Sequence, residues 1–142
     1  MKTGILLLSL TLSWGAFAQN HSHHAHKETS SALVLNDGQK WQADDVLRKQ
    51  MQGLEEKFAS VHQLFETKKA RNADFMMLAK QIGEATSQIV KNCKLEPKAD
   101  ATLHVILGKL LNAKENLGVA KKRLAALKEM QQSFNLYHEY FE

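Results

Sequence analysis

The sequence predicts an all-α fold, an antiparallel up-down-up-down four-helix bundle preceded by a short extended and turn segment. Three observations favour this fold. Four segments carry apolar residues at alternating spacings of three and four, which is typical of a helix buried along one face. The segments are similar in length and have short connections, which favours antiparallel neighbours. Pro97 and Gly118 fall between segments, where helices commonly begin or end.

The first residues have the features of a secretory signal peptide. Lys2 supplies a positive charge, an apolar run covers Ile5 to Leu12, and Ala16-Phe17-Ala18 fits a cleavage site. The apolar run is too short to span a bilayer. We therefore predict that residues 1–18 are a leader and that the mature chain is exported to a periplasm, without membrane attachment after cleavage.

Composition and motifs argue against several classes of function. The formal net charge is only +4, and lysines mix with glutamates along the helices, so the chain is not predicted to bind nucleic acid. A lone Cys93 rules out an intramolecular disulfide and the paired-cysteine attachment of a typical c-type haem. No catalytic triad spacing, phosphate-binding loop or Glu-x-x-His di-iron motif occurs. We therefore predict that the protein is not an enzyme.

Residues 19–31 form a histidine-rich segment, predicted to be a flexible tail and called the histidine tail below. Its four histidines are His21, His23, His24 and His26. Imidazole is a good ligand for copper and zinc, so this stretch is a candidate metal site. The alternative is a polar tail that binds metal only weakly and incidentally.

Residues 32–43 are predicted to form an extended piece, a tight turn and a return. The turn residues are Asn36-Asp37-Gly38, which accept positive φ. We expect Leu33, Leu35 and Trp41 to pack as a lid on one end of the helical body, with ligand contact by Trp41 as the alternative.

Residues 44–142 are predicted to be the bundle. Helix one runs from Asp44 or Asp45 to about Thr67, and helix two from about Ala73 to Cys93. Helix three runs from near Asp100 to about Leu117, and helix four covers Val119 to Phe141. The predicted inward residues of the first three helices are Met51, Leu54, Phe58, Val61, Phe65, Phe75, Leu78, Ile82, Ala85, Ile89, Leu103, Ile106, Leu107, Leu110 and Leu117.

Helix four carries a histidine at a position where a bundle usually has a leucine. Its predicted inward stripe is Ala120, Leu124, Leu127, Gln131, Phe134, His138 and Phe141. At 1.5 Å per residue, Met51 lies ~10 Å and His138 ~6 Å from the same end of the bundle. A thioether and an imidazole at one level could ligate haem iron. The alternative is that both are ordinary core residues.

Two terminal motifs resemble those of the soluble cytochrome b562 family. Gln50-Met51-Gln52-Gly53-Leu54-Glu55-Glu56-Lys57-Phe58 is similar to that family's opening helix, which carries an axial methionine. Asn135-Leu136-Tyr137-His138-Glu139-Tyr140-Phe141 resembles its closing motif, which carries the axial histidine. The third helix is also similar, with Gly108 in register. The two arginines that the family places near the haem propionates are Phe134 and Glu142 here.

The resemblance implies a periplasmic b-type cytochrome that binds haem b non-covalently for electron transfer. Met51 and His138 would ligate the iron. The pocket wall would be Leu54, Phe58, Leu103 and Leu107. We expect a monomer or weak dimer with an unidentified redox partner protein. The alternative is a haem-free metal-binding or metal-tolerance protein with copper or zinc at the histidine tail; a chaperone-like interaction module is a third hypothesis.

Overall fold

Four α-helices joined by short turns make up most of the chain that the computed structural model describes, residues 33–142. They are α1 (Asp45–Glu66), α2 (Asn72–Asn92), α3 (Pro97–Leu117) and α4 (Arg123–Tyr140). Each helix packs against the next, and α1 also contacts α4, where the contact is the least extensive of the four. The predicted all-helical bundle is therefore confirmed. No helix among these residues is long and apolar enough to cross a membrane.

The helix starts follow from local capping chemistry. The carboxylate of Asp44 accepts a hydrogen bond from the Leu47 N–H (2.8 Å), which satisfies one exposed donor at the start of α1. Helix α3 begins at Pro97, three residues before the predicted start at Asp100. Proline suits the first position because its φ is already helical and an N–H there has no partner within the helix.

The predicted core of the first three helices is largely confirmed. Every predicted inward residue of α2 and α3 is buried, as are Met51, Leu54 and Phe58 in α1. Val61 and Phe65, at the far end of α1, are half-buried and pack against the core. These stripes were predictable because apolar residues recur on each of them at alternating spacings of three and four.

The buried face of α4 differs from the face that the sequence predicts. Its buried residues are Ala126, Leu127, Met130, Ser133, Phe134 and Tyr137, with Phe141 buried just beyond the helix end. Of the predicted stripe, Ala120, Leu124, Gln131 and His138 are exposed, so those four assignments were wrong. Residues 120–122 form a short 3-10 helix. Ala120 therefore lies outside the regular helix, while the other three errors arise because the spacing in α4 fits a second stripe through Met130 and Tyr137.

The segment before α1 is a tight turn that leads to a buried tryptophan. Asp37 (φ 49°) and Gly38 (φ 86°) both adopt positive φ, which lets the backbone of Asn36 and Gln39 exchange two hydrogen bonds. The lid prediction is confirmed for Trp41, which is buried, and for Leu33, which packs against the core. It was wrong for Leu35, which is 40% exposed.

Backbone hydrogen bonds connect the segment around Trp41 to the C-terminus. The Trp41 N–H donates to the Tyr140 carbonyl (2.8 Å), and the Glu142 N–H donates to the Trp41 carbonyl (3.0 Å). The Ala43 N–H adds a third bond, to the Glu142 carbonyl (2.9 Å). This pairing, called the terminal clasp below, joins the start and the end of the bundle.

Candidate functional site

Met51 occupies the position on α1 that its sequence pattern predicts. Its side chain is fully enclosed by the core. The other predicted pocket-wall residues are also buried: Leu54, Phe58, Leu103 and Leu107. These five residues therefore form part of the continuous apolar interior.

His138 does not face this interior, and the prediction that it does was wrong. Its side chain is 62% exposed, and its Nε2 lies 2.6 Å from Oε1 of Glu55 on α1. The adjacent Tyr137 takes the inward position instead. The imidazole of His138 stays in contact with water and pairs with a carboxylate. Burial of the largely apolar tyrosine ring costs less hydration than burial of an imidazole would.

The residues as arranged do not fit a haem between Met51 and His138. The rings of Phe58 and Phe134 pack with centroids 5.3 Å apart where α1 meets α4. A haem iron needs both axial side chains to point into one cavity, but one is enclosed in the core and the other lies on the surface. Two surface grooves, of about 330 and 430 Å³, are lined by other residues near Trp41 and near Arg123.

Cys93 and Asp44 meet at the end of the bundle that carries the terminal clasp. Asp44 Oδ2 accepts the Lys94 N–H (2.7 Å), and its carboxylate also accepts a hydrogen bond from the Cys93 thiol. Burial alone would raise the pKa of Asp44, but these bonds and the one from Leu47 outweigh burial and lower it. Burial, then the bond to Asp44, raises the pKa of Cys93 to about 12. The thiol is therefore held in its protonated form, which is a poor metal ligand.

His104 is exposed on the outer face of α3, and it pairs with Asp100 one turn earlier. Its Nδ1 lies 2.9 Å from the Asp100 carbonyl oxygen and 3.3 Å from Oδ2 of the same residue. The side chains of His104 and Asp100 are 60% and 53% exposed. This pair is accessible to a ligand from solution.

The start of the described chain is fixed beside the buried part of α3. The Val34 N–H donates to Oγ1 of Thr102 (3.4 Å), and Nε1–H of Trp41 donates to the Val34 carbonyl (2.7 Å). The histidine tail immediately precedes this anchored segment, and its four candidate ligands lie outside the described residues. Within residues 33–142, no three histidine, cysteine or acidic side chains come together as a metal site.

Sequence reasoning missed three partners of the candidate residues. Asp44 was recognised as a helix cap but not as the partner of Cys93, because the two are far apart in sequence. Glu55, the partner of His138, was missed for the same reason. The Asp100–His104 pair had a usable signal, because a spacing of four places both side chains on one helix face.

Comparison with known proteins identifies no relative. No protein-family model, curated protein or solved structure matches the chain. The likeness to cytochrome b562 therefore rests on the sequence motifs described above, and function has to be argued from the residues.

Proposed function

We propose that this protein binds a copper or zinc ion through the histidine tail, with the four-helix bundle as the folded body that carries it. One observation carries the proposal: four histidines within six positions directly precede a segment that is anchored to one end of the bundle. Several imidazoles on one short stretch can surround a single ion. In an exported chain, such a site would take up the metal outside the cytoplasm.

The described residues of the bundle provide a folded body and not a complete metal site. The hydrogen bonds of Val34 and the terminal clasp hold the segment from Val34 to Ala43 against the bundle. The thiol of Cys93 is half-buried and bonded to Asp44, so it is not assigned as a ligand.

Titration calorimetry with Cu²⁺ and Zn²⁺ tests the proposal. The mature chain is compared with a variant in which the four tail histidines, His21, His23, His24 and His26, are replaced by alanine. We expect submicromolar binding in the first and a loss of at least about tenfold in the second, because imidazoles are the main ligands. Equal affinity in the two proteins, or no binding in either, would contradict the proposal.

Haem binding by Met51 and His138 is the second candidate, and one observation favours it. His138 contacts Glu55, which is four positions after Met51 on α1, so the two ligand candidates do lie near one level. Helices α1 and α4 also have the least extensive contact in the bundle. Haem binding would require α4 to turn so that His138 exchanges places with Tyr137.

An absorption spectrum separates the two candidates. The purified chain is mixed with hemin and recorded oxidised and reduced. The metal-tail proposal predicts no sharp Soret band of a ligated haem. A Soret band with split visible bands, lost in His138→Ala and retained in the matched surface variant His62→Ala, would establish the cytochrome instead.

A further inference from the structure

Positive charge is concentrated at the end of the bundle opposite the terminal clasp. Two connections meet there, residues 67–71 between α1 and α2 and residues 118–122 between α3 and α4. Arg123 joins them, because its guanidinium lies 4.2 Å above the ring of Phe75 and donates to Oδ1 of Asn72. The two connections contain no Asp or Glu. Their basic residues and Arg123 are together called the basic end: Lys68, Lys69, Arg71, Lys121, Lys122 and Arg123.

Little of this charge is neutralised by neighbouring side chains. Arg71 pairs with Asp74 (3.2 Å). Within residues 33–142, the other five cations of the basic end form no ion pair with an acidic side chain. All four of its lysines are exposed. A surface with several unpaired charges of one sign attracts a partner of the opposite sign.

Apolar side chains are exposed next to these cations. Val119, within the second connection, is 40% exposed, and Leu124, in the first turn of α4, is 49% exposed. Met76 is 50% exposed and lies beside Gly118, since a Cβ built on that glycine would be 4.0 Å from Met76 Sδ. Cations and exposed apolar side chains on one surface are typical of proteins that bind the surface of an anionic membrane.

A groove of about 430 Å³ lies between the two connections. Lys68 and Arg123 line it, and its one acidic residue is Glu66, which lies 3.9 Å from Nε2 of His62. The apolar part of its lining is Phe65, Ala70, Phe75 and Ala120. This combination suits an anion that is attached directly to an apolar group.

Arg123 is held in a fixed orientation in this groove. Its Nε–H donates to the Leu117 carbonyl (3.1 Å), and one Nη2–H donates to Oδ1 of Asn72. Within the described chain, these bonds use two of the five N–H donors of the guanidinium. The remaining donors can bind phosphate oxygens, for which the planar guanidinium is well suited.

We propose that the basic end is a docking surface for an anionic phospholipid bilayer, with Lys68 and Arg123 binding one lipid phosphate. The exposed lysines face the headgroups, and Val119 and Met76 enter the interface between headgroups and acyl chains. A phospholipid carries its phosphate next to apolar chains, as the groove requires, whereas the carboxylates of an acidic polypeptide do not. The contact is peripheral, and it differs from the sequence-based expectation of no membrane attachment, which rested on an apolar run too short to span.

Vesicle co-sedimentation of the mature chain is the first test. We expect binding to vesicles of equimolar phosphatidylglycerol and phosphatidylcholine, and no measurable binding to phosphatidylcholine alone. Raising the ionic strength from ~0.1 M to ~1 M shortens the Debye length from ~10 Å to ~3 Å and should release most of the bound protein. EDTA is present throughout, so that the result does not depend on the proposed metal site. Absence of binding to the anionic vesicles at the lower ionic strength, or equal binding to both kinds, would overturn the proposal.

A pair of charge variants locates the contact. Lys121→Gln/Lys122→Gln should weaken binding to the anionic vesicles about tenfold or more, because each cation near such a surface contributes about fivefold in affinity. Lys91→Gln/Lys98→Gln is the matched control, since it removes two exposed lysines near the opposite end of the bundle; we expect little change. Equal losses in the two variants would show a general attraction of charge and overturn the docking surface.

A variant without charge change distinguishes a bilayer from an acidic polypeptide. Met76→Gln/Val119→Gln should weaken vesicle binding at least about threefold, because it removes exposed apolar surface that the bilayer would bury. Poly-L-glutamate is the comparison ligand in a parallel titration. Binding to poly-L-glutamate as tight as that to vesicles, with neither affected by this variant, would contradict the bilayer and indicate an acidic protein partner.

Methyl NMR shows which end of the bundle touches the lipid. In methionine-methyl-labelled chain bound to anionic vesicles, a nitroxide-labelled lipid should broaden the resonance of the exposed Met76. The resonance of Met51, which is buried towards the terminal clasp, should be retained. Equal broadening of both, or broadening of Met51 alone, would mean that the basic end is not the docking surface.

Discussion

At the scale of single residues, Asp44 connects three parts of the molecule. Its carboxylate caps α1 through Leu47, accepts the Lys94 N–H and pairs with the Cys93 thiol. One short side chain therefore fixes the start of α1 against the end of α2. The pKa of this carboxylate is lowered, so its contribution to stability is present at neutral pH and is lost as the pH falls through its folded-state pKa, below the ordinary value of 3.8.

Replacing Asp44 by alanine should destabilise the fold measurably. We expect a loss of ~1–2 kcal/mol in the free energy of unfolding, the usual cost of removing a helix cap. Asp45→Ala is the control, because Asp45 is fully exposed and makes only a surface pair with Arg48; its effect should stay under ~0.5 kcal/mol. Urea denaturation at neutral pH measures both, and equal losses in the two variants would contradict this role of Asp44.

The raised pKa of Cys93 predicts low thiol reactivity. Folding favours the protonated thiol, so its contribution to stability is full below pH ~9 and is lost as the pH rises towards 12. At pH 9 we expect the native chain to react with iodoacetamide at least about tenfold more slowly than the urea-unfolded chain, because the thiolate is the reacting form. Asp44→Asn should speed the native reaction, since it removes the carboxylate charge next to the sulfur. Equal rates in native and unfolded protein would show that the thiol is not protected.

At the scale of helices, α4 shows that apolar spacing alone does not always predict which face of a helix is buried. On α2 and α3 spacing alone predicted the buried stripe correctly, even though Met77 and Leu111 are exposed on other faces. On α4 apolar residues occupy more than one face: Leu124 is exposed, whereas Met130 and Tyr137 are buried. Because spacing fits two stripes, only packing against α1 and α3 decides between them. The candidate ligand His138 was misplaced for this reason.

The observed orientation of α4 predicts a clear difference between two truncations. Met130→Ala removes a fully buried side chain and should cost ~2–5 kcal/mol. Leu124→Ala removes one that is 49% exposed and should cost under ~1 kcal/mol. Urea denaturation of the two variants compares them directly. A larger loss for Leu124→Ala would mean that the stripe first predicted from spacing is the buried one.

At the scale of the whole molecule, the terminal clasp joins the two ends of the bundle. Trp41 is buried at 4% exposure, and its backbone pairs with Tyr140 and Glu142. The sequence predicted that Trp41 packs on one end of the helices. It could not predict the C-terminal partner of Trp41, because the three hydrogen bonds join residues about a hundred positions apart and have no local pattern.

Loss of the Trp41 ring should weaken the whole bundle. We expect Trp41→Ala to cost ~3–5 kcal/mol, the range for removing a large aromatic side chain from a core. Thermal unfolding followed by circular dichroism measures the change. Leu35→Ala is the control within the same segment, because Leu35 is 40% exposed. A negligible effect of Trp41→Ala would mean that the buried ring does not hold this segment against the bundle.

The metal content of the protein as purified tests the central proposal most directly. The chain is produced with its own leader, without an affinity tag, because a polyhistidine tag would bind the same ions. It is then isolated without chelators and analysed for copper, zinc and iron. We predict copper or zinc in stoichiometric amount and no haem absorbance. Stoichiometric haem iron with a Soret band, or protein free of all three metals that binds none on titration, would contradict the proposal.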